Sequence, residues 1–291
     1  MTGGTRTAVI ASWALLSPAL IASIVFFAAP LVYLVVDSFR AFSLTAGVGG
    51  FTLGNYSRIL GDAYYLRVLG DTFRLAAMTT ALCLILGYPL ALLLRAAPPR
   101  LKALMVIAVI APLLVSVVVR SFGWVVILGE FGLLNQALRL LGVTAGFAST
   151  SHLFTEAAVI VGLVHVFLPF MVLALYSALQ KQEARLVRAA RSLGASTLRA
   201  FIAVTLPLSV PGIVAGTTTV FALAAGSYVT VSVLGGSKVM VIAILAYQQS
   251  IGLTNWQLGA AIGIVLLIGT TLILQLYQAT LRRLFPRVLA V

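Results

Sequence analysis

Long apolar runs free of charge limit this chain more than any other feature. No charged side chain occurs from Ala8 to Val36, and comparable runs recur toward the C-terminus. Crossing the hydrocarbon of a bilayer takes about 20 apolar residues at a rise of about 1.5 Å each. Of the 291 residues, 62% are hydrophobic and 9% charged, where a soluble domain carries about a quarter charged. So few charges could not keep a surface of this size wet. The sequence therefore predicts an all-α membrane protein with six transmembrane helices in a single domain over residues 1–291. The spans fall near 13–36, 72–94, 103–128, 157–179, 208–234 and 258–280. The stretch 239–250 is apolar but too short to cross, and reads as a half-helix or interfacial segment. The first run far exceeds the core of about 7–15 residues in a cleavable signal peptide, so it is read as a retained span.

The formal charge of +13 comes from 19 basic and 6 acidic residues, and its distribution matters more than its size. Arg6, the stretch Arg95 to Lys102, the stretch Lys181 to Arg199, and the tail with Arg282, Arg283 and Arg287 fall on one side of the spans. They carry +11 with Glu183, and the alternate loops carry +2. The richer side is expected to be cytoplasmic, with both termini inside. Basic residues sorted this way report topology, so the lipid bilayer rather than nucleic acid is the expected partner. Cys83 lies in an apolar run and has no second cysteine to pair with.

Signatures of catalysis are missing. Gly235-Gly236-Ser237-Lys238 has the residues of a phosphate-binding loop in the wrong order, so no cofactor is expected on this chain. His152 and His165 lack metal-ligand spacing, and His165 is read as bonded across helices. Ser227 lacks the pattern of a nucleophile beside it. A proton relay would need a series of acids through the spans, which is absent. Arg120 and Glu156 interrupt apolar surroundings; each is either functional or drawn to the outer interface. With Tyr228 they are the candidates for lining a translocation path. Prolines punctuate the spans, and Gly259 and Gly263 form a G-x-x-x-G pair suited to close helix packing.

The most informative stretch runs from Gln180 to Gly212. Leu186, Ala189, Ala190 and Leu193 share one face of a helix from about 182 to 193, and Arg185, Arg188 and Arg191 gather opposite. Gly194 stops this helix, and Ser196 caps a second from 197 to 205. Leu206-Pro207 closes it, and Pro211 marks entry to the fifth span. A helix–turn–helix of this kind either docks a partner or lies on anionic lipid.

This loop, about residues 180–207, resembles the EAA loop of binding-protein-dependent ABC permeases, E-A-A-x3-G-x9-I-x-L-P. Ala189 and Ala190 match the alanines, Gly194 the glycine, Val204 the isoleucine position and Leu206-Pro207 the closing pair. Arg188 stands where the family has glutamate. Phe51 to Tyr56, Gly87 to Ala91, Arg120 to Trp124, Gly132 to Asn135, Leu234 to Gly236 and Asn255-Trp256 are similar to the spermidine/putrescine branch. The resemblance implies a type I ABC importer permease fold in the inner membrane and a non-catalytic subunit. It implies three partners: a cytosolic ABC ATPase dimer that binds the ATP and docks at the loop, a second permease subunit, and an extracytoplasmic solute-binding protein. Arg185 is counted among the residues of that docking loop. A polyamine is the substrate that the resemblance favours. Other small solutes such as ferric iron or sulfate remain open, and a secondary transporter is the competing class.

Overall fold

Helices long and apolar enough to cross a membrane make up most of the architecture. The computed structural model describes residues 13, 16–43, 47–140, 152–284 and 286. The expectations for Arg6, Arg287 and the start of the first apolar run lie outside these. In chain order the elements are α1 (Leu16–Ser38), β1 (Arg40–Ser43), β2 (Gly47–Phe51), α2 (Gly54–Gly61), α3 (Ala63–Ala96), α4 (Pro99–Leu114), α5 (Val117–Leu128) and α6 (Leu133–Leu140). They continue with α7 (Glu156–Gln180), α8 (Ala184–Ser192), α9 (Thr197–Ala200), α10 (Leu206–Ala225), α11 (Val229–Gly235), α12 (Ile242–Tyr247) and α13 (Trp256–Leu284). Six helical stretches satisfy the length and hydropathy of a membrane span: 16–38, 63–96, 117–140, 156–180, 197–225 and 256–284.

Contacts group the chain into two compact units. One holds the residues up to 63 together with 245–265. Here α1 runs into an antiparallel hairpin, with Arg40 opposite Phe51, an addition to the helices read from sequence. The Phe51–Tyr56 motif ties the hairpin to the end of α1. Asn55 Nδ2 donates to the carbonyls of Ser38 and Arg40, each at 2.9 Å, and the Ser38 and Tyr56 hydroxyls lie 2.6 Å apart. Buried Gln257 donates to buried Asp37 at 3.3 Å.

The second unit holds 64–244 and the residues from 266 onward. Its centre is α7, two-thirds of whose most apolar window is buried. Between helices in lipid there is little hydrophobic drive, so close packing of small residues decides association. The seam between α7 and α10 is built this way. A Cβ placed on Gly212 would lie 2.5 Å from Ala178 Cβ and 2.9 Å from the Ala174 carbonyl oxygen. One on Gly216 would lie 2.6 Å from Met171 Sδ. Met171 is fully buried, and on its other side a Cβ on Gly87 of α3 would come within 3.0 Å of it. Farther away in sequence, the Thr72 hydroxyl of α3 accepts the backbone N–H of Ile242 at 2.9 Å, satisfying a donor at the start of α12.

Two expected spans differ from the helices observed. The stretch 103–128 is broken at Val115 and Ser116, whose extended backbone (ψ 136° at both) separates α4 from α5. Pro112 supplies the reason, since it cannot donate to the preceding turn and weakens the helix where it ends. The stretch 208–234 is also interrupted, α10 ending at Ala225 before the Gly226 turn. At its other end the helix begins early. α9 runs through a π-helical turn, Phe201–Thr205, directly into α10, so Leu206-Pro207 does not close it. A proline ring clashes with the carbonyl four residues before it in α geometry, and the wider turn accommodates Pro207 without a break.

Gly259 and Gly263 do not form one packing face. A Cβ on Gly259 would strike Ser250, whereas nothing lies within 4 Å of one on Gly263. Gly212→Val is therefore expected to cost at least the roughly 1–3 kcal/mol of an overpacked core, and Gly263→Ala to stay within about 0.5 kcal/mol of wild type. Thermal unfolding of the purified variants in detergent measures both.

Candidate functional site

The loop between α7 and α10 is defined by main-chain geometry. Helix α8 ends in a Schellman motif: the N–H of Gly194 bonds the Arg191 carbonyl at 3.0 Å, and that of Ala195 the Ala190 carbonyl at 3.1 Å. This requires a left-handed residue at the corner, and Gly194 has φ +87°. Ser196 Oγ then accepts the N–H of Arg199 at 3.3 Å, capping α9. The loop is thus a helix, a fixed corner and a second helix that merges with α10.

The structure modifies the helical faces read from sequence. Among the described positions of α8, Val187 and Ala190 are partly buried, and Ala189 is exposed. Leu186 and Leu193 are 44% and 89% exposed. The apolar face is therefore largely presented outward, beside Arg185, Arg188 and Arg191, which are exposed too. Arg185 forks onto Glu183, with Nη2 donating at 2.8 Å, and these bonds hold its guanidinium above its ordinary pKa. Arg188 and Arg191 have no ion pair among the described residues. Val204, Leu206 and Pro207 are half-buried where the loop joins α10.

Contacts from Arg95, Gln182 and Tyr88 anchor the loop. Arg95, near the end of α3, donates to Gln182 Oε1 at 3.0 Å and to the Gln182 carbonyl at 3.1 Å. Gln182 Nε2 donates to the Thr205 carbonyl at 3.1 Å. Tyr88 of α3 meets the same segment, its ring edge-on to Phe201 with centroids 5.7 Å apart. Its hydroxyl is 2.8 Å from Ser209 Oγ. Ser209 gives its own proton to the Leu206 carbonyl, so Tyr88 is the donor. Tyr88 lies within the Gly87–Ala91 motif, the one available signal; Gln182 carried none.

The three path candidates lie on different elements. Arg120, on α5, donates through Nη1 to the Pro112 carbonyl, and so caps the broken end of α4. Nearby on α5, Trp124 Nε1 donates to Nδ1 of His165 at 3.0 Å, the rings meeting edge-on. This is the cross-helix bond expected of His165, and it places the proton of neutral imidazole on Nε2. Glu156 opens α7 and pairs with Arg74, which also lies 3.4 Å from Asp71. All three are about half-exposed. Tyr228 precedes α11, and its carbonyl accepts the N–H of Ser232. Among the described residues no cluster of His, Cys, Asp and Glu has the composition of a metal site.

Comparison with known proteins agrees with this architecture. Residues 84–286 match the family of binding-protein-dependent transport system inner membrane components. The chain is 38% identical over 238 residues to the spermidine/putrescine transport system permease protein PotB of Escherichia coli strain K12, covering 82% of this chain and 86% of that protein. PotB of Haemophilus influenzae is 35% identical over 226 residues, 78% of each chain. The fold is similar to that of a bacterial alginate ABC transporter chain, solved in complex with an alginate pentasaccharide-bound periplasmic protein. That match has a TM-score of 0.78 at 16% identity, over 97% of this chain and 96% of the other. With the family match spanning well over half of its residues, this chain belongs to the binding-protein-dependent transport system inner membrane components, the multi-pass, non-catalytic permeases of ABC importers.

Proposed function

We propose that this permease imports a polyamine, delivered by an extracytoplasmic binding protein and driven by a cytosolic ATPase dimer that docks on the loop around Gly194. The 38% identity to a spermidine/putrescine permease across 82% of the chain carries the substrate assignment. Docking is supported by a rigid corner that presents Leu186 and Leu193 outward, where an uncovered apolar surface calls for a partner. ATP belongs to the ATPase. A second permease subunit completes the pathway, and the excess of positive charge in the basic loops supports a cytoplasmic position for both termini. ATP-driven closure of the ATPase dimer shifts the permease between inward- and outward-facing states through its different contacts with each. Arg120, Glu156 and Tyr228 are the pathway candidates on this chain.

Uptake by proteoliposomes containing the whole complex and its binding protein tests the substrate. Labelled spermidine or putrescine should accumulate with ATP present, while accumulation of only a different solute, such as ferric iron or sulfate, would reassign the cargo.

The corner offers a second test. Placing an L-residue in the left-handed region costs roughly 1–2 kcal/mol, and more when the side chain is β-branched. Gly194→Val is expected to insert and assemble in the membrane yet lose about tenfold or more of its transport. Normal uptake would count against docking at this loop.

Charge gives a third. Arg188 and Arg191 are exposed and lack ion-pair partners within the described chain, so the docked ATPase should meet them with carboxylates. Arg188→Gln combined with Arg191→Gln should weaken ATPase binding and flatten its dependence on salt. An unchanged salt dependence would remove these arginines from the interface, and a dependence on anionic lipid alone would assign them to the membrane surface.

A further inference from the structure

The two ends of the docking loop meet at one side chain. Gln182 sits between the end of α7 at Gln180 and the start of α8 at Ala184. Its amide oxygen and carbonyl receive Arg95 from α3, and its amide nitrogen reaches Thr205, where the π-helical turn passes into α10. A side-chain amide supplies an acceptor and a donor from one planar group, and each half of this one is used. Tyr88 makes a second tie from α3 to the same segment through Phe201 and Ser209.

We infer that Gln182 is a positioning residue for transport: it joins the loop from 182 to 205 to the end of α3, so that a displacement imposed on α8 reaches α3 and α10 together. The inference rests on the docking reading given above. Without the clasp, residues 181–183 are the only link between α7 and α8, and that short non-helical connection is where α8 would hinge. A hinge there would absorb motion inside the loop. The clasp closes it at both ends with three hydrogen bonds, two of them from a guanidinium and therefore among the stronger kind. The exposed Glu183–Arg185 pair cannot substitute, because both members belong to the loop itself.

The test uses the complete transporter in proteoliposomes, with solute moved per ATP hydrolysed as the readout. A cysteine introduced by Ala190→Cys reports contact with the ATPase by crosslinking. Gln182→Leu should leave that crosslink and the thermal stability of the complex unchanged, while solute moved per ATP falls several-fold. Gln182→Glu keeps the acceptor for Arg95 but loses the donor to Thr205, and should fall between Gln182→Leu and wild type. A wild-type ratio in Gln182→Leu would overturn the inference. So would a fall in transport that only follows a loss of folded complex, or one accompanied by loss of the crosslink, which would make Gln182 a structural or a docking residue. If Ala190→Cys fails to crosslink in an otherwise wild-type chain, the docking reading itself fails, and the inference with it.

Discussion

The close approach of α7 and α10 sets the framework within which the candidate site is built. Two glycines one helical turn apart, Gly212 and Gly216, face Ala178, Ala174 and Met171 with no room for a side chain. Dispersion between closely packed backbones is what lipid cannot replace. The same two helices carry the ends of the proposed docking loop, since α7 leads out to it and α10 receives the chain back. The loop is thus a helical excursion between the anchored ends of one tight pair. Its position follows from the seam, and its corner from Gly194.

Three polar pairings inside the apolar region follow a related rule, because unsatisfied donors and acceptors there are costly. Arg120 takes the carbonyl of Pro112 where α4 ends. Thr72 accepts the N–H of Ile242. Trp124 gives its proton to His165. Each pairing closes a gap left by a helix break or by a lone polar side chain. Arg120 in particular has a structural use that explains its place without assigning it to a path.

What the sequence made legible follows from which interactions are local. Helix stops, caps and the corner at Gly194 depend on neighbours within a few residues, and Ser196 and Gly194 behave as their chemistry dictates. Long apolar runs likewise announce membrane helices. Helix breaks are harder: Pro112 precedes one, whereas Pro207 is passed because a π turn widens the backbone ahead of it. The G-x-x-x-G pattern is ambiguous for a different reason. It occurs at 212/216 as well as at 259/263, and only a neighbouring helix decides which pair is used. The clasp at Gln182 was not legible, because it joins residues 87 and 23 positions away and a glutamine in a basic loop signals nothing by itself.

The arginine at position 188 shows why shape and partner choice can vary separately in this loop. The bonds that form the corner link main-chain atoms of residues 190, 191, 194 and 195. None involves the side chain at 188, which projects outward. Exchanging glutamate for arginine at such a position leaves the Schellman geometry, the cap at Ser196 and the anchoring by Gln182 intact, since no atom of those bonds changes. It alters only the electrostatic field offered to whatever docks. Complementary charge governs discrimination between partners more than raw affinity. A loop held by its backbone can therefore keep one shape while its exposed side chains set which partner it accepts.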